Sequence, residues 1–237
     1  MKPIYEPRGA AKEYGDLAIN IYTGCPHRCT YCYSPQILHM DKEKFHSCVE
    51  PRKDIVNEVR KQIEREKITG KLIHLCFTCD PYPIGYDTTP TREIIKILKE
   101  SGNHVQILTK SAETRDLDLL DENDWFGVTI SCGVGTASAE EPNAAKPTDR
   151  IMAISAARSR GIKTWVSCEP VLEAGAIFAI IGLYGEVFDK FKIGKLNYRP
   201  SSINWYEFGH ECERLCTEYG RNYYIKDGLR KEMEKNA

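Results

Sequence analysis

Three cysteines stand close together near the start of the chain, at Cys25, Cys29 and Cys32, in the spacing Cys-x3-Cys-x2-Cys. Thiolates are the usual protein ligands of iron–sulfur clusters, and a cubane of four irons and four sulfides needs four ligands. A loop that supplies three thiolates leaves one iron open to a ligand from outside the protein. The spacing therefore predicts a [4Fe-4S] cluster with one iron available for chemistry.

Two other uses of these cysteines remain open from the residues alone. A structural zinc site needs a fourth ligand close by. The nearby residues that can bind zinc are His27, His39, His46 and Cys48. A disulfide framework needs an oxidising compartment, whereas the first residues, MKPIYEPRGAAKEYG, contain no apolar stretch of the kind found in signal peptides. We therefore expect reduced cysteines and a cytoplasmic protein.

The composition is that of a single globular domain. The 237 residues are 41% hydrophobic, which allows a substantial core within the size range of one α/β barrel domain. The longest apolar run, at 174–183, is about half the length of a membrane span. Because the net charge is −1, the chain has no overall electrostatic attraction to nucleic acid. We predict one domain over 1–237, with a core at about 17–197 and a C-terminal extension at about 198–237.

Short apolar runs alternate with longer helical patterns along the chain. This order is typical of parallel βα units, and six such units predict an α/β fold of the TIM type, an incomplete (β/α)6 barrel. The predicted strands are 17–22, 72–77, 104–109, 125–131, 163–168 and 191–193, with a seventh candidate at 223–225. The predicted helices are 54–67, 90–101, 112–120, 148–160, 174–187 and 202–219.

Alternation within the strands predicts a barrel with a polar interior, because successive side chains of a strand point to opposite faces. In the second strand, the residues expected beneath the helices are Ile73, Leu75 and Phe77, and those expected inside are His74, Cys76 and Thr78. A closed eight-stranded barrel fills its interior with branched apolar residues, so a polar interior fits an open barrel that holds a ligand. The alternative is that the polar faces are solvated, although parallel sheets are usually covered on both faces.

Polar segments follow several predicted strands, at the end where a barrel carries its active site. They are 78–81, 108–111, Ser131 and 168–170. Together with the three-cysteine segment at 25–32, they resemble the radical S-adenosylmethionine (radical SAM) superfamily, and within it the spore photoproduct lyase-like branch, also called DNA repair photolyase-like. The resemblance covers about residues 20–197.

This resemblance implies a reaction and a set of cofactor contacts. In that superfamily S-adenosylmethionine occupies the open iron, and its reductive cleavage gives a 5′-deoxyadenosyl radical that takes hydrogen from a substrate. The implied contacts with S-adenosylmethionine are Tyr31 to the adenine, Asp80 and the Cys79 backbone to the amino group, Lys110 to the carboxylate and Ser131 to the ribose. The alternatives are local: a turn carboxylate for Asp80, a solvated strand end for Lys110 and a turn hydrogen bond for Ser131.

The partners implied are an electron donor such as flavodoxin or ferredoxin, and a substrate that the sequence does not identify. Nucleic acid, peptide and small metabolite are all candidate substrate classes. A separate hypothesis is a zinc-stabilised binding module that recognises a protein or nucleic-acid partner.

One position departs from the related lyase. Spore photoproduct lyase returns hydrogen to its product radical from a cysteine at the end of the second strand, and the best-matching residue here is Phe77. Cys76 and Cys79 flank this position and are candidate hydrogen donors, although a one-residue shift reverses which face a side chain occupies. We therefore predict a radical SAM enzyme that is not a thymine-dimer lyase.

Overall fold

The computed structural model describes residues 2–235, which form one eight-stranded sheet whose strands lie in chain order. Its first strand, β1 (Ile4–Tyr5), is antiparallel to the second, and all later neighbours are parallel. The later strands are β2 (Leu17–Ile19), β3 (Leu72–Leu75), β4 (His104–Thr109), β5 (Trp125–Thr129), β6 (Lys163–Cys168), β7 (Lys190–Ile193) and β8 (Tyr223–Ile225). No pairing joins β1 to β8 within 2–235, so the barrel is open.

Helices fill most connections between the parallel strands. They are α1 (Ser34–Ile37), α2 (Lys42–Ser47), α3 (Ile55–Glu66), α4 (Thr89–Glu100), α5 (Val134–Glu140), α6 (Pro147–Arg158), α7 (Ala174–Leu183), α8 (Trp205–Glu218) and α9 (Asp227–Glu234). The predicted α/β partial barrel is thus confirmed, and the seventh candidate strand is β8. Among the described residues, no helix combines the length and the apolar character needed to cross a membrane.

The predicted helix at 112–120 is wrong. This connection contains only a short 3-10 helix, Arg115–Leu119. Glu113 accepts hydrogen bonds from the backbone N–H groups of Thr114 and Arg115, at 2.9 and 2.8 Å. These local side-chain bonds replace the first turn of an α-helix.

The outer face of the sheet packs against the helices. Ile73 and Leu75 of β3 and Ile107 of β4 are fully buried, and they join Val59 of α3 and Ile94 of α4 in one hydrophobic cluster. Burial of each such side chain stabilises the fold by roughly 1.5–3 kcal/mol. This cluster fixes the strands against the helices and leaves the inner face free for polar groups.

Polar and aromatic side chains fill the amino-terminal half of the barrel interior. The Gln106 side-chain amide donates to Nδ1 of His74 and to the backbone carbonyl of Tyr14, at 2.9 and 2.8 Å. Trp165 covers Gly127, where an added Cβ would lie 2.1 Å from the indole nitrogen. These groups close the base of the barrel, so open space remains at the carboxyl ends of the strands.

At the end of β3, the side chains are not divided between the helix-facing and inner faces as predicted. The strand ends at Leu75, and Cys76 adopts a left-handed conformation with φ of +69°. This turn breaks the alternation on which the prediction depended. Phe77 consequently stacks on the His74 ring inside the barrel, with 4.2 Å between ring centroids, and Cys76 joins the hydrophobic core.

Candidate functional site

A cavity of about 460 Å³ lies at the carboxyl ends of the parallel strands. One side is formed by residues 24–32, which we call the cysteine loop. Of the residues predicted from the sequence, those that line the cavity are Cys25, Cys29, Tyr31, Cys32, Cys76, Cys79, Asp80 and Lys110. Ser131 does not border the cavity; it is 1% exposed. The structure thus brings together nearly all of the predicted site.

Close contact with α2 fixes the start of the cysteine loop. An added Cβ at Gly24 would lie 2.3 Å from the carbonyl oxygen of Phe45, so only glycine fits there. The Cys25 N–H donates to the same carbonyl at 3.2 Å. Further along, the Cys32 N–H donates to the Cys29 carbonyl at 3.1 Å, which closes a turn between two of the thiols.

The three thiols of the loop are free, and the surroundings of Cys25 and Cys29 favour the neutral form. Burial raises the pKa of Cys25 well above its usual range, and the negative charge of Asp80 adds to this effect. Burial also raises the pKa of Cys29 to about 11. Because metal centres bind thiolates, loading of this loop has to release protons.

The spread of the three sulfur atoms distinguishes between kinds of metal centre. Among residues 2–235, only one group of three or more His, Cys, Asp or Glu residues has ligand atoms that all lie within 4.8 Å of one another. This group is His104, Asp121 and Asp124. The loop cysteines do not converge in this way, as one zinc ion with Zn–S bonds of about 2.3 Å would require. A cubane binds each thiolate through a different iron, so the cysteine loop fits a cluster better than zinc.

The Asp80 carboxylate joins the ends of two strands. It accepts hydrogen bonds from the Tyr82 N–H at 2.9 Å, the Thr109 hydroxyl at 2.6 Å and the Lys110 N–H at 2.8 Å. Nδ1 of His27 in the cysteine loop lies 3.5 Å from the same carboxylate. Asp80 therefore has the turn-forming role that the sequence offered as an alternative to cofactor binding. It also lies in the cavity wall.

Lys110 places a positive charge beside the cavity. Its Nζ lies 5.5 Å from the centroid of the Tyr31 ring, and it makes no ion pair within residues 2–235. An ammonium group with free donors can bind an anionic group of a ligand.

The residues that hold Tyr31 by hydrogen bonds were not predicted as a group from the sequence. Its hydroxyl donates to the Glu141 carboxylate and lies 3.3 Å from the Ser131 hydroxyl. Glu141 in turn pairs with Arg150, and both side chains are completely buried. Burial raises the pKa of Tyr31 well above its usual range, and the nearby Cys29 and Glu141 add to the shift. Tyr31 is therefore a neutral hydrogen-bond donor in a fixed position.

The segment 140–145, between β5 and α6, fastens the cysteine loop to the barrel. The Thr30 N–H donates to the Glu140 carbonyl at 2.9 Å. Asn143 donates its backbone N–H to the His27 carbonyl at 3.2 Å and its side-chain amide to the Pro26 carbonyl at 3.0 Å. These residues form pairs across more than a hundred positions of the chain, so no local pattern in the sequence indicates them.

Cys76 and Cys79 both line the cavity and interact with each other. Burial raises the pKa of Cys76, and the Cys79 thiol adds to this shift. Burial also acts to raise the pKa of Cys79, but hydrogen bonds from Cys76 and from the Tyr22 N–H, at 3.4 Å, lower it overall. Of the two, Cys76 is the thiol more firmly held in its protonated form.

A second polar group lies in the cavity wall around Glu169, which follows β6. Its carboxylate accepts from the Tyr14 hydroxyl at 2.9 Å and from the Lys226 ammonium. Tyr14 precedes β2 and Lys226 follows β8, so both ends of the chain contribute here. Lys192 lies beneath, 4.6 Å from the Tyr14 ring centroid, and burial lowers its pKa to about 8.

Comparison with known proteins places this arrangement in a family. Residues 19–190 match the sequence profile of the radical SAM superfamily. An uncharacterised protein of Acidianus two-tailed virus is 30% identical over 184 residues, which cover 70% of this chain and 60% of the viral protein. An uncharacterised protein of Mycobacterium tuberculosis is 29% identical over 180 residues, covering 70% of this chain and 52% of the relative. The chain thus spans between half and two thirds of the length of these relatives.

Solved structures share the fold at low sequence identity. A spore photoproduct lyase with bound S-adenosylmethionine and dinucleoside spore photoproduct is 15% identical, with a TM-score of 0.70 over 93% of this chain and 78% of the lyase. SuiB of Streptococcus suis, bound to S-adenosylmethionine, is 11% identical, with a TM-score of 0.64 over 92% of this chain and 52% of SuiB. The profile match covers well over half of the sequence, and the chain belongs to the radical SAM superfamily.

Proposed function

We propose that Cys25, Cys29 and Cys32 hold a [4Fe-4S] cluster whose open iron binds S-adenosylmethionine. When bound, these two groups supply a 5′-deoxyadenosyl radical that takes hydrogen from a substrate. One observation carries the proposal: three free thiols share one cavity, at the carboxyl ends of parallel strands, with the Lys110 ammonium, which has no ion-pair partner in the described part of the chain. The cavity walls would orient the components of this reaction.

The residues around the cavity have separate roles in this proposal. Lys110 would bind the carboxylate of S-adenosylmethionine, and Tyr31 would contact its adenine. Each carboxylate oxygen has two lone pairs, so Oδ2 of Asp80 retains one for the amino group after accepting from the Lys110 N–H. The Cys79 backbone would assist there. A contact between the ribose and Ser131 requires this serine, which is 1% exposed and lies outside the cavity wall, to become accessible.

Cys76 and Cys79 remain our candidates for a protein hydrogen donor. Transfer of a hydrogen atom requires the S–H form of a thiol, and the raised pKa of Cys76 keeps this form across the neutral range. The lowered pKa of Cys79 makes it the weaker candidate. Replacement of Cys76 by alanine should leave formation of 5′-deoxyadenosine intact while removing any transfer of thiol hydrogen to product.

We further infer that the substrate differs from spore photoproduct. The Phe77 side chain stacks on His74 inside the barrel and has no hydrogen atom on sulfur to donate. A nucleic-acid substrate is tested separately by oligonucleotide binding, which should weaken steeply with salt if phosphates are contacted. Repair of spore photoproduct in DNA by the loaded protein would contradict our inference.

Anaerobic reconstitution tests the central proposal. The loaded protein should contain about four irons and four sulfides per chain and should release 5′-deoxyadenosine when S-adenosylmethionine and dithionite are added. Cys29→Ala should lose both properties, whereas Cys48→Ala, which removes an exposed thiol outside the loop, should keep them. Binding of zinc without iron or sulfide would instead support a zinc-stabilised binding module.

A further inference from the structure

Cys76 and Cys79 are separated by two residues, in the order Cys76-Phe77-Thr78-Cys79. The Cys-x2-Cys spacing is found in dithiols that interchange with a disulfide, because a tight turn brings the two sulfur atoms together. The proposed function considers each thiol separately as a hydrogen donor and makes no use of their proximity.

The turn that carries these two cysteines is held by the end of β2. The Cys76 N–H donates to the Ile19 carbonyl at 2.8 Å. Oδ1 of Asn20 accepts from the next two N–H groups along the chain, those of Phe77 and Thr78, at 2.8 and 2.9 Å. Together with the left-handed conformation of Cys76, these bonds bend the chain so that the first and fourth residues of the turn approach each other.

The two thiols are in direct contact. They form a hydrogen bond with each other, and the Tyr22 N–H donates to the Cys79 sulfur at 3.4 Å. Disulfide formation requires two cysteines that are near neighbours in space, and a hydrogen bond between the two thiols meets this condition.

The two thiols differ in exposure and in charge. Cys79 is partly exposed, whereas Cys76 is buried. Burial acts to raise the pKa of both thiols, but at Cys79 the hydrogen bonds from Cys76 and from the Tyr22 N–H outweigh burial and lower the pKa overall. Because the thiolate is the attacking form of cysteine, Cys79 is suited to react first with an external group, and Cys76 to react second.

A small molecule can reach the pair from solvent. Both thiols border the cavity, and the cavity wall also includes Ile37 and Tyr198, which are exposed. By contrast, Cys212 and Cys216 of α8, which are also close in sequence, are completely buried and do not line the cavity. Access therefore distinguishes the pair in the turn from the pair in the core.

We propose that Cys76 and Cys79 form a redox-active dithiol, which a small external disulfide oxidises and an external dithiol restores. In the first step, the Cys79 thiolate attacks one sulfur of the external disulfide, forms a mixed disulfide and releases one thiolate. Cys76 then gives its proton to that thiolate and attacks the Cys79 sulfur, which expels the second thiolate. The protein loses two electrons, the external disulfide gains them, and a disulfide joins Cys76 to Cys79.

The exchange itself does not depend on a cluster. Only its consequence rests on the proposed function. In the disulfide form, neither sulfur carries a hydrogen atom that can be transferred to a product radical. The external dithiol would therefore restore the hydrogen donor of the proposed reaction.

Mass spectrometry of one tryptic peptide tests the proposal. Cleavage after Lys71 and Arg92 gives the peptide 72–92, which contains both thiols and no other cysteine. The cluster-loaded protein is equilibrated anaerobically with mixtures of reduced and oxidised glutathione, labelled with N-ethylmaleimide and digested. As the oxidised share rises, the peptide should change from doubly labelled to unlabelled, with a loss of two hydrogen atoms. Dithiothreitol should reverse the change.

Single substitutions check the order of the two steps. Cys76→Ser should accumulate at least about tenfold more mixed disulfide with glutathione than wild type, because no second thiol expels the glutathione. Cys79→Ser should accumulate little adduct, since the remaining thiol is buried. Cys48→Ala, which removes an exposed thiol outside the turn, should behave like wild type, and Cys212 and Cys216 should remain labelled at every glutathione ratio.

The proposal is overturned if the wild-type peptide stays doubly labelled at every glutathione ratio, or if Cys79 pairs with a cysteine outside 72–92. It is also overturned if Cys76→Ser accumulates no more adduct than Cys79→Ser. The peptide contains no cysteine of the cysteine loop, so its labelling is measured whether or not a cluster forms. A protein that shows the exchange but binds no iron would contradict the proposed function alone.

Discussion

Glu141 and Arg150 show how one buried ion pair positions several parts of the site. Arg150 donates to Glu141, to the Ala145 carbonyl at 2.9 Å and to the Thr129 carbonyl at 2.8 Å. Glu141 also accepts from the Tyr31 hydroxyl. Removing two charges from water costs several kcal/mol, which close pairing and these extra hydrogen bonds offset. The pair therefore fixes Tyr31 and the segment that holds the cysteine loop.

Replacement of Glu141 by glutamine should destabilise the protein strongly. The change leaves the buried Arg150 charge without an opposite charge beside it, which costs about 3–5 kcal/mol. Urea unfolding of the metal-free protein measures this loss. Glu140→Gln is the matched control, because the exposed pair between Glu140 and Arg199 contributes at most about 1 kcal/mol. Equal stability of the two variants would contradict the importance assigned to the buried pair.

Lys192 should make stability depend on pH in the alkaline range. Burial lowers its pKa from 10.5 to about 8, and neighbouring lysines add to the shift. Between these values the unfolded chain binds the extra proton, so stability rises with pH. Burial of the charged Lys192 lowers the free energy of unfolding by an amount on the order of 3 kcal/mol. This loss of stability is complete below pH 8 and disappears as the pH rises towards 10.5.

Comparison of wild type with Lys192→Met isolates this contribution. The stability of wild type relative to the variant should increase between pH 7 and pH 10 in urea unfolding experiments. Lys163→Met removes an exposed lysine of β6 and serves as the control. A wild-type-minus-variant difference that is flat with pH would show that Lys192 is charged in both states.

At this scale, the sequence predicts groups that are close in the chain better than groups that meet by folding. Cys25, Cys29 and Cys32 were identified because their spacing is local. The contact between Tyr31 and Glu141 spans 110 residues, and nothing in either neighbourhood indicates the other. Buried polar networks depend on tertiary packing, so their members resemble ordinary surface residues in the sequence.

At the scale of the strands, the packing of β6 against β5 restricts which residue can stand at position 127. Trp165 is 1% exposed and its indole N–H donates to the Ile107 carbonyl at 2.9 Å. The ring occupies the space that a side chain on Gly127 would need. A glycine that weakens an isolated strand is required here for the base of the barrel to close.

Gly127→Ala should therefore be destabilising, by about 1–3 kcal/mol or more, since the new Cβ would overlap the indole and displace it. Urea unfolding measures the loss of stability, and the emission maximum of tryptophan fluorescence reports the displacement of the indole. Gly135→Ala is a contrasting control in α5, where an added Cβ meets no atom within 4 Å and should stabilise by about 0.5–1 kcal/mol. A Gly127→Ala protein as stable as wild type would mean that Trp165 moves freely.

The bounds of several strands were predicted well from the sequence. The predicted bounds of β4, β6 and β8 agree with those observed. β1 was missed because a strand of two residues has no measurable period. It is stabilised instead by Gln62 of α3, whose side-chain amide exchanges two hydrogen bonds with the Ile4 backbone, both at 2.9 Å.

Across the whole molecule, the C-terminal part belongs to the same sheet as the rest. β8 pairs with β7, and Phe208, Cys212 and Cys216 of α8 are buried in the main hydrophobic cluster. Lys226 then reaches Glu169 at the cavity. The segment after residue 197 thus completes both the core and the cavity wall.

A chain of residues 1–197 should consequently fail to unfold cooperatively. Removal of the segment after residue 197 would expose several core side chains, and burial of each contributes roughly 1.5–3 kcal/mol. The total stability of a typical protein is only about 5–15 kcal/mol. The full chain should show one urea transition by circular dichroism and tryptophan fluorescence, and the truncated chain a gradual change. A sharp transition in the truncated chain would show that the first part folds alone.

The left-handed conformation of Cys76 bears on how this barrel acquires new reactions. One backbone dihedral, at Cys76, turns Phe77 into the interior, while the strand, the helices and the cysteine loop stay in place. A substitution that restores an extended conformation at this position would exchange one side chain for the next without any insertion or deletion. Evolution could therefore change the reactive side chains of the cavity while it conserves the residues that we propose to generate the radical.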